Sequence, residues 1–413
     1  MSQPLARPKK KNPVERTNLP TLPPGSRSRA AQGLTRAAAE GRFEMQVCTE
    51  CATVQYPPRE VCGNCLGEHL DWQPVACGGE LIAITTLRHS NDLYFRERLP
   101  WRVGTVRMDA GPSVVANVHE DCADAGRVRL SLRLDRSGQA VLHALPEKDT
   151  PNMNDAPQLR ASTSDPKFRR VLVTDGKSAL GLATAKAMLE AGATTVFLGD
   201  PTTWRTLPAF DKLAADPRIQ VVELDVTSTD SVDRLAASIG GKVEILVNTA
   251  GYLRDGGIMN RKDVMLARDA MEVNALGLVR LAQAFGPGMC FRAADGQNSA
   301  TAWVNVLSIH ALAALPMRGA WSASQAAAHS LSLTLRAEMA GAGIRVLNVF
   351  TGPVEEDWEQ LTPPPKLAPS AVAKAVVKGL LDGVEDVYLG DIAEEIRGRL
   401  RENHKAVERE LAR

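Results

Sequence analysis

The chain has 413 residues, with 49 Lys and Arg against 48 Asp and Glu, so its formal net charge is +1 at pH 7. This balance argues against a protein that binds nucleic acid or anionic membranes by charge. Hydrophobic residues make up 44% and charged residues 23%, as in soluble globular proteins, and the length suits two or three domains. No apolar run approaches the roughly 20 residues that a membrane span needs.

Residues 1–28 form a tail rich in Pro, Arg, Lys and Ser, which predicts a disordered or loosely attached segment. Its start is basic without an apolar stretch, so we expect no secretory signal and a cytoplasmic location. The basic run from Arg7 to Lys11 is short, which favours a solvated tail over a nucleic-acid-binding arm. A helix is expected next, from about Ser28 to Gly41.

Two C-x-x-C pairs follow in the segment CTECATVQYPPREVCGNC. A redox motif needs only one such pair, whereas two pairs with ten residues between them predict a four-thiolate zinc site. The four predicted ligands are Cys48, Cys51, Cys62 and Cys65. Such a closed site has no open position for water, so its role is expected to be structural. The isolated cysteines, Cys77, Cys122 and Cys290, are expected to be small core residues.

Five short segments rich in Val, Ile and Leu come after the cysteines and are bounded by Gly, Pro, Asp and Asn: ELIAITTLRH, WRVGTVRM, SVVANVHE, RVRLSLRLD and AVLHALP. This pattern predicts a small antiparallel barrel or sandwich. We therefore expect a helix and ribbon over 29–70 and the β-domain over 71–146. Residues 147–168 are polar and rich in Pro and Asp, which predicts an interdomain linker.

Residues 28–146 closely resemble the zinc-ribbon and OB-fold proteins that accompany thiolase-like enzymes. The shared features are the cysteine pairs, Pro57-Pro58, Trp72 and the glycines Gly78-Gly79 before the first barrel strand. The resemblance implies a rubredoxin-like ribbon, an OB-fold-like barrel and a non-catalytic subunit that handles acyl-CoA substrates beside a thiolase-like or aldolase partner. The barrel segments lack the interleaved aromatic and basic residues of single-strand binders, so a nucleic-acid-binding ribbon and barrel is the least favoured alternative.

Apolar strands alternate with helices from Arg169 onward, which predicts a doubly wound, Rossmann-type parallel sheet. We expect this domain over 169–395 and a C-terminal helix over 396–413. Its ordered landmarks resemble the short-chain dehydrogenase/reductase family: VLVTDGKSALGLA, LDVTS, LVNTAG, MEVNALG, VNVLS, WSASQAA and NVFTGPV. The resemblance implies a fold and does not by itself imply activity.

The family's chemistry uses a tyrosine that transfers a proton, a lysine that lowers the tyrosine pKa, a serine and an asparagine. By resemblance, Ser308 and Asn274 stand at the serine and asparagine positions. Trp321 replaces the tyrosine and Gln325 the lysine. An indole N–H only donates, and an amide carries no charge, so both proton-handling groups are missing. The sequence therefore indicates a pseudoenzyme domain.

The cofactor loop is also altered. Asp175 and Ala179 replace two of the three glycines that let a diphosphate approach the helix, and the Asp175 charge is expected to repel phosphate. Asp200 is a candidate ribose ligand, and Glu356 replaces a threonine expected to hold the nicotinamide carboxamide. The positions that still match the family are vestigial: Thr174, Gly181, Asp225, Val226, Asn248, Ala250 and Gly251. We expect NAD(P) binding to be weak or absent.

The leading interpretation is a non-catalytic scaffold or acyl-CoA-handling subunit that binds a thiolase-like protein through residues 28–146. An NAD(P)-dependent oxidoreductase with atypical catalytic residues is the alternative. In the family that this domain resembles, the helix from Trp321 to Ala340 forms the subunit interface, so the resemblance implies a homo-oligomer or a heteromer with a related dehydrogenase. The small residues of this helix suit close helix packing, and ordinary core packing explains them equally well. His310 lies two residues after Ser308 and is expected to be an exposed loop histidine rather than part of a new Ser-His pair.

Overall fold

A computed structural model describes residues 2–7, 21–293, 299–360 and 362–412. The chain divides into two units, one centred on Thr21–Ser164 and the other on Asp165–Leu381 and residues 385–412. Residues 8–20, which hold half of the expected tail and most of its basic run, lie outside the described residues.

The first unit contains a small antiparallel sheet and a closed barrel. Its helices and strands, in chain order, are α1 (Gln32–Ala39), β1 (Glu44–Cys48), β2 (Val54–Gln55), β3 (Leu70–Pro74), β4 (Gly78–Leu87), α2 (Leu93–Arg96), β5 (Trp101–Met108), β6 (Ser113–Val118), β7 (Gly126–Leu134), β8 (Ala140–Pro146) and α3 (Pro157–Arg160). The small sheet has the order β2-β1-β3, and the barrel has the order β4-β5-β6-β8-β7. The predicted ribbon and OB-fold-like barrel are both confirmed.

Side-chain alternation along the strands builds the barrel core. In β7, Val128, Leu130, Leu132 and Leu134 are buried, and the residues between them are more exposed. Successive side chains of a strand point to opposite faces, so this period of two directs one apolar row into the barrel. Closure pairs the strands all round, so the barrel has no free edge.

The segment expected to be a linker is partly folded. Residues up to Ser164 belong to the first unit, with a 3-10 turn at Met153–Asp155 followed by α3. Leu159 is 1% exposed because it packs with Ala156 of this segment and with Leu145 of β8. A few apolar residues in a polar, Pro-rich stretch were enough to attach it to the barrel, which a compositional argument does not detect. The described start of the tail is also attached, since Ser2 Oγ donates to Asp121 Oδ2 at 2.9 Å.

The second unit is a seven-stranded sheet with helices between the strands. Its elements are β9 (Arg170–Val173), α4 (Ala179–Glu190), β10 (Thr195–Asp200), α5 (Pro208–Ala214), β11 (Ile219–Glu223), α6 (Thr229–Ile239), β12 (Ile245–Asn248), α7 (Met265–Met271), α8 (Gly277–Phe291), β13 (Ala302–Ser308), α9 (Gly319–Ala340), β14 (Arg345–Thr351), α10 (Pro369–Asp382), β15 (Asp386–Leu389) and α11 (Asp391–Leu411). The strand order is β11-β10-β9-β12-β13-β14-β15, and every pairing is parallel. The closing helix begins at Asp391, five residues before the expected start at 396.

The central strands are buried on both faces, as their continuous apolar sequences predict. Every residue of β12 is buried, and Trp303 of β13 is fully enclosed together with Phe285 of α8. Because all strands are parallel, their carboxyl ends lie at one edge of the sheet, where the loops after β9, β12, β13 and β14 meet. Among the described residues, no helix is both long and apolar enough to cross a membrane.

Candidate functional site

The two cysteine pairs of the first unit adopt matching turns. The N–H of Ala52 donates to the Cys48 carbonyl at 2.9 Å, and the N–H of Leu66 donates to the Cys62 carbonyl at 3.1 Å. Ala52 and Leu66 each follow a C-x-x-C pair, and both have positive φ, 57° and 64°. This left-handed residue closes each turn in the same way and directs both of its thiols to one side.

The four thiols converge on one point. Their sulfur atoms all lie within 4.8 Å of one another, with Cys48 Sγ 3.5 Å from Cys65 Sγ and Cys51 Sγ 3.6 Å from Cys62 Sγ. Four ligands at about 2.3 Å from a central ion have this spacing, so the cluster fits tetrahedral zinc. The sequence prediction of one four-cysteine cluster is confirmed in its geometry.

In the second unit, the Gln325 side chain forms a hydrogen bond with the backbone of Ser308. Its Oε1 accepts a hydrogen bond from the backbone N–H of Ser308 at 2.9 Å, and both groups are buried. Ser308 Oγ in turn accepts from the backbone N–H of His310 at 3.1 Å. Gln325 therefore fixes the end of β13 to α9 and offers no charge to a neighbouring proton donor.

Trp321 fills the position at which the family has its tyrosine. It is buried in the first turn of α9, and its ring centroid lies 6.0 Å from that of His310. The two residues pack beside each other without any group that titrates as a phenol does.

The Asn274 side chain forms hydrogen bonds with Tyr252 and Ser324. It lies in a π-helical turn, Glu272–Leu276, between α7 and α8. Its Oδ1 accepts from the Tyr252 N–H at 2.8 Å, and its Nδ2 donates to the Tyr252 carbonyl at 2.9 Å and to Ser324 Oγ at 2.8 Å. Asn274 therefore joins the loop after β12 to α9.

The expectation of an exposed loop histidine at position 310 is wrong. His310 is only 8% exposed, and its Nδ1 lies 2.9 Å from the Ala313 carbonyl oxygen, so Nδ1–H donates that bond. Burial lowers the His310 pKa, opposed by the hydrogen bond to Ala313, and so favours the neutral ring. The loop after β13 turns back under α9, and this tertiary packing buries a residue that sequence alone places in a connecting loop.

The remaining family-like positions mostly hold strand ends together. Thr174 Oγ1 donates to Asn248 Oδ1 at 3.0 Å and accepts from the N–H groups of Thr249 and Ala250. Asp225 Oδ1 accepts from Thr227 in its own turn, and Val226 is buried in the core. The bonds of Thr174 tie the end of β9 to the end of β12.

The backbone at the start of α4 is capped by its own chain. Asp175 Oδ1 accepts from the N–H groups of Lys177 at 3.0 Å and Ser178 at 3.2 Å. Ser178 Oγ accepts from the N–H of Gly181 at 2.9 Å. A Cβ on Gly181 would lie 1.6 Å from the Asp175 carbonyl oxygen, so this glycine is required by packing. Burial raises the Asp175 pKa, opposed by the two backbone bonds.

The next two N–H groups are capped from far away in the sequence. Leu180 N–H donates to Glu356 Oε1 at 2.6 Å, and Ala179 N–H donates to Glu356 Oε2 at 3.3 Å. Glu356 was expected at the nicotinamide end of the site, and its carboxylate lies instead at the helix start, where the family binds a diphosphate. The diphosphate does not fit this arrangement, because a carboxylate already holds those N–H donors.

Asp200 is likewise engaged within the chain. Its Oδ1 lies 2.8 Å from the ammonium nitrogen of Lys177, and the same oxygen accepts from the Thr202 N–H at 2.9 Å. Asp200 is therefore paired and buried rather than presented to a ribose. Sequence reasoning missed Lys177, because only the fold brings the turn after β9 to the end of β10.

A cavity of about 130 Å³ lies at this edge of the sheet. Its wall includes seven of the predicted second-unit positions: Asp175, Ala250, Gly251, Ser308, Trp321, Gln325 and Glu356. Asn274, Asp225, Val226 and Asn248 are not among its lining residues. This volume is below the roughly 300–1,000 Å³ of ordinary ligand pockets.

Three family models match the chain. Residues 35–71 match the rubredoxin-like zinc ribbon domain of ChsH2, and residues 72–137 match the C-terminal OB-fold domain of ChsH2. Residues 169–364 match the short chain dehydrogenase model. The three matches follow the order of the ribbon, the barrel and the parallel sheet.

Individual relatives match the second unit. An uncharacterized oxidoreductase of Mycobacterium tuberculosis (strain ATCC 25618 / H37Rv) is 32% identical over 211 residues, 48% of this chain and 58% of that protein. A short-chain dehydrogenase of Talaromyces islandicus is 32% identical over 195 residues, 46% of this chain and 64% of that protein. The chain thus spans less than two thirds of the length of either relative.

A solved structure agrees with this assignment. The crystal structure of a short chain dehydrogenase from Burkholderia cenocepacia J2315 in complex with NADP is 32% identical, with a TM-score of 0.54. The match covers 60% of this chain and 98% of that one. The second unit therefore belongs to the short-chain dehydrogenase family, and the same chain carries a zinc ribbon and OB-fold of the ChsH2 family before it.

Proposed function

We propose that the chain is a non-catalytic subunit of an acyl-CoA-processing assembly, with a dehydrogenase-like domain that no longer transfers hydride. The observation that carries this proposal is that side chains at the family's active-site positions form hydrogen bonds with the chain's own backbone. Gln325 and Trp321 replace the proton-handling pair, and Gln325 is bonded to Ser308. Glu356 holds the helix N–H groups that a cofactor diphosphate would need.

The first unit supplies the proposed partner site. Proteins with this ribbon and barrel are associated with thiolase-like enzymes, so residues 28–146 are proposed to bind a thiolase-like or aldolase protein and to help handle its acyl-CoA substrate. The four cysteines are proposed to hold one zinc ion, which stabilises the ribbon without taking part in chemistry. We place the assembly in the cytoplasm, and propose no nucleic-acid or membrane partner.

The second unit is proposed to self-associate or to pair with a related dehydrogenase. Large apolar side chains are exposed along α7, α8, α9 and the π-helical turn: Met265, Met271, Leu276, Phe291 and Leu333. Exposed apolar residues on neighbouring helices favour burial against a second subunit. The assembly would then contain at least two copies of the chain.

An NAD(P)-dependent oxidoreductase with atypical catalytic residues is the second candidate. It is supported by the relatives, which are named as oxidoreductases, and by the NADP in the Burkholderia structure. The retained Ser308 would then have to bind the substrate oxygen without a neighbouring phenol.

A turnover assay separates the two candidates. The purified full chain is incubated with NADH or NADPH and a panel of ketones, including ketoacyl-CoA thioesters, and cofactor oxidation is followed by absorbance. We expect a rate equal to that of buffer alone. Turnover that disappears in Ser308→Ala would establish the oxidoreductase and remove the proposal.

A further inference from the structure

The Glu356 carboxylate has an unusual position for a residue in a loop after β14. It reaches the start of α4 across 176 positions of sequence, and both of its oxygens accept N–H donors of that helix. The helix already has an ordinary local cap, because Ser178 Oγ accepts from the Gly181 N–H. Helix capping alone therefore does not require Glu356, and its carboxylate is an additional anion at the helix start.

The contacts account for every N–H from the turn to the first helical residues. Asp175 takes those of Lys177 and Ser178, Glu356 takes those of Ala179 and Leu180, and Ser178 takes that of Gly181. A helix N-terminus binds phosphate through such N–H groups and through its positive dipole end. Here the chain supplies the anion itself.

The loop that carries Glu356 is held in place at the same sheet edge. The Glu356 N–H donates to the Val354 carbonyl at 2.8 Å, and the Glu355 N–H donates to the Leu367 carbonyl at 2.9 Å. On the other side, the Glu359 N–H donates to the Glu356 carbonyl at 3.0 Å. Backbone hydrogen bonds therefore position Glu356 from both sides.

We infer that the Glu356 carboxylate is a built-in substitute for the cofactor diphosphate, and that it excludes NAD and NADP from this domain. The inference deepens the proposed function, on which it rests, by naming the residue that keeps the domain free of dinucleotide. Replacing Glu356 should release two N–H donors and remove one negative charge. Both changes should raise the affinity for a dinucleotide.

The test is calorimetric titration of the full chain with NADP, NAD and inorganic pyrophosphate. Glu356→Thr restores the residue type of the family, and Glu356→Gln removes the charge while keeping an acceptor oxygen. Asp357→Asn removes the adjacent, exposed carboxylate and is the matched control. We expect no saturable binding by the unmodified chain or by Asp357→Asn. Glu356→Thr should bind saturably, with an affinity at least about tenfold above the upper limit set by the unmodified chain, since a hydrogen bond to a charged group has roughly that value.

Three results would overturn the inference. If a folded Glu356→Thr binds NADP no more tightly than Asp357→Asn, the inference is wrong. The proposed function would still stand in that case, provided that the unmodified chain shows no turnover. Tight NADP binding by the unmodified chain, with turnover, removes both. Hydrogen exchange of the unmodified chain gives a reading that needs no variant: the Leu180 and Ala179 amides should exchange slowly and be unaffected by NADP. Added protection by NADP would contradict the inference.

Discussion

The side-chain oxygen of Gln325 lies 2.9 Å from the backbone nitrogen of Ser308 and accepts its hydrogen. The residue that replaces the family's lysine has thus become the partner of the residue at the family's serine position. A lysine has three donors and no acceptor, so it cannot make this bond. The replacement is accordingly built into the local structure at the end of β13.

Gln325→Lys should therefore destabilise the second unit. The substitution leaves a buried N–H without its acceptor, which costs about 1–3 kcal/mol. Urea unfolding should show this loss, and Ala337→Lys on an exposed position of the same helix is the control, with little effect. Equal stability of Gln325→Lys and the unmodified chain would mean that the bond to Ser308 contributes nothing.

The cysteine cluster should hold one zinc per chain. Cys62 is fully buried among the four thiols, so Cys62→Ser should release the metal and unfold the ribbon while the parallel sheet stays folded. Elemental analysis and circular dichroism measure the two effects. Cys290→Ser, on a cysteine of the second unit outside the cluster, should retain a full equivalent of zinc. Less than half an equivalent in the reduced, unmodified chain would refute the site.

Acid should destabilise the barrel through His143. Burial, with a smaller effect from the positive charge of Arg133, lowers the His143 pKa from 6.5 to about 3. Between these values the unfolded chain binds a proton that the folded chain does not, so the free energy of unfolding falls as the pH falls from 6.5 towards 3. The slope from this group is at most about 1.4 kcal/mol per pH unit.

Urea unfolding at several pH values measures this change in the free energy of unfolding. Hydrogen exchange of peptides from the barrel shows that the barrel is the part that unfolds. His143→Gln should flatten the pH dependence in that window even if it lowers stability overall. The exposed His89→Gln is the control and should keep the full slope. An unchanged slope in His143→Gln would show that another group is responsible.

The sequence predicted those features that depend on local pattern. Cysteine spacing located the metal cluster, because a C-x-x-C turn brings its own two thiols together. The alternation of apolar residues located the barrel strands, and the ordered landmarks located the parallel sheet. The replacements Trp321 and Gln325 were also identified from position alone.

Long-range contacts account for what the sequence did not predict. Glu356 was assigned to the nicotinamide end because it replaces a threonine of the family motif, and only the folded loop brings its carboxylate to α4. Lys177 and Asp200 meet for a similar reason, since adjacent parallel strands end at the same edge. His310 looked like an exposed loop residue, and tertiary packing buried it. These side chains come from different loops, whose approach no local pattern records.

The central claim is that residues 28–146 bind a thiolase-like protein. It is tested most directly by purifying the tagged full chain from its native host, followed by size-exclusion chromatography and mass spectrometry of the complex. We expect a thiolase-like protein in constant ratio to the chain, because an obligate interface of more than about 2,000 Å² survives the column. The partner should follow residues 1–164 and not residues 165–413. A full chain that elutes alone, or a partner that follows residues 165–413, would contradict the claim.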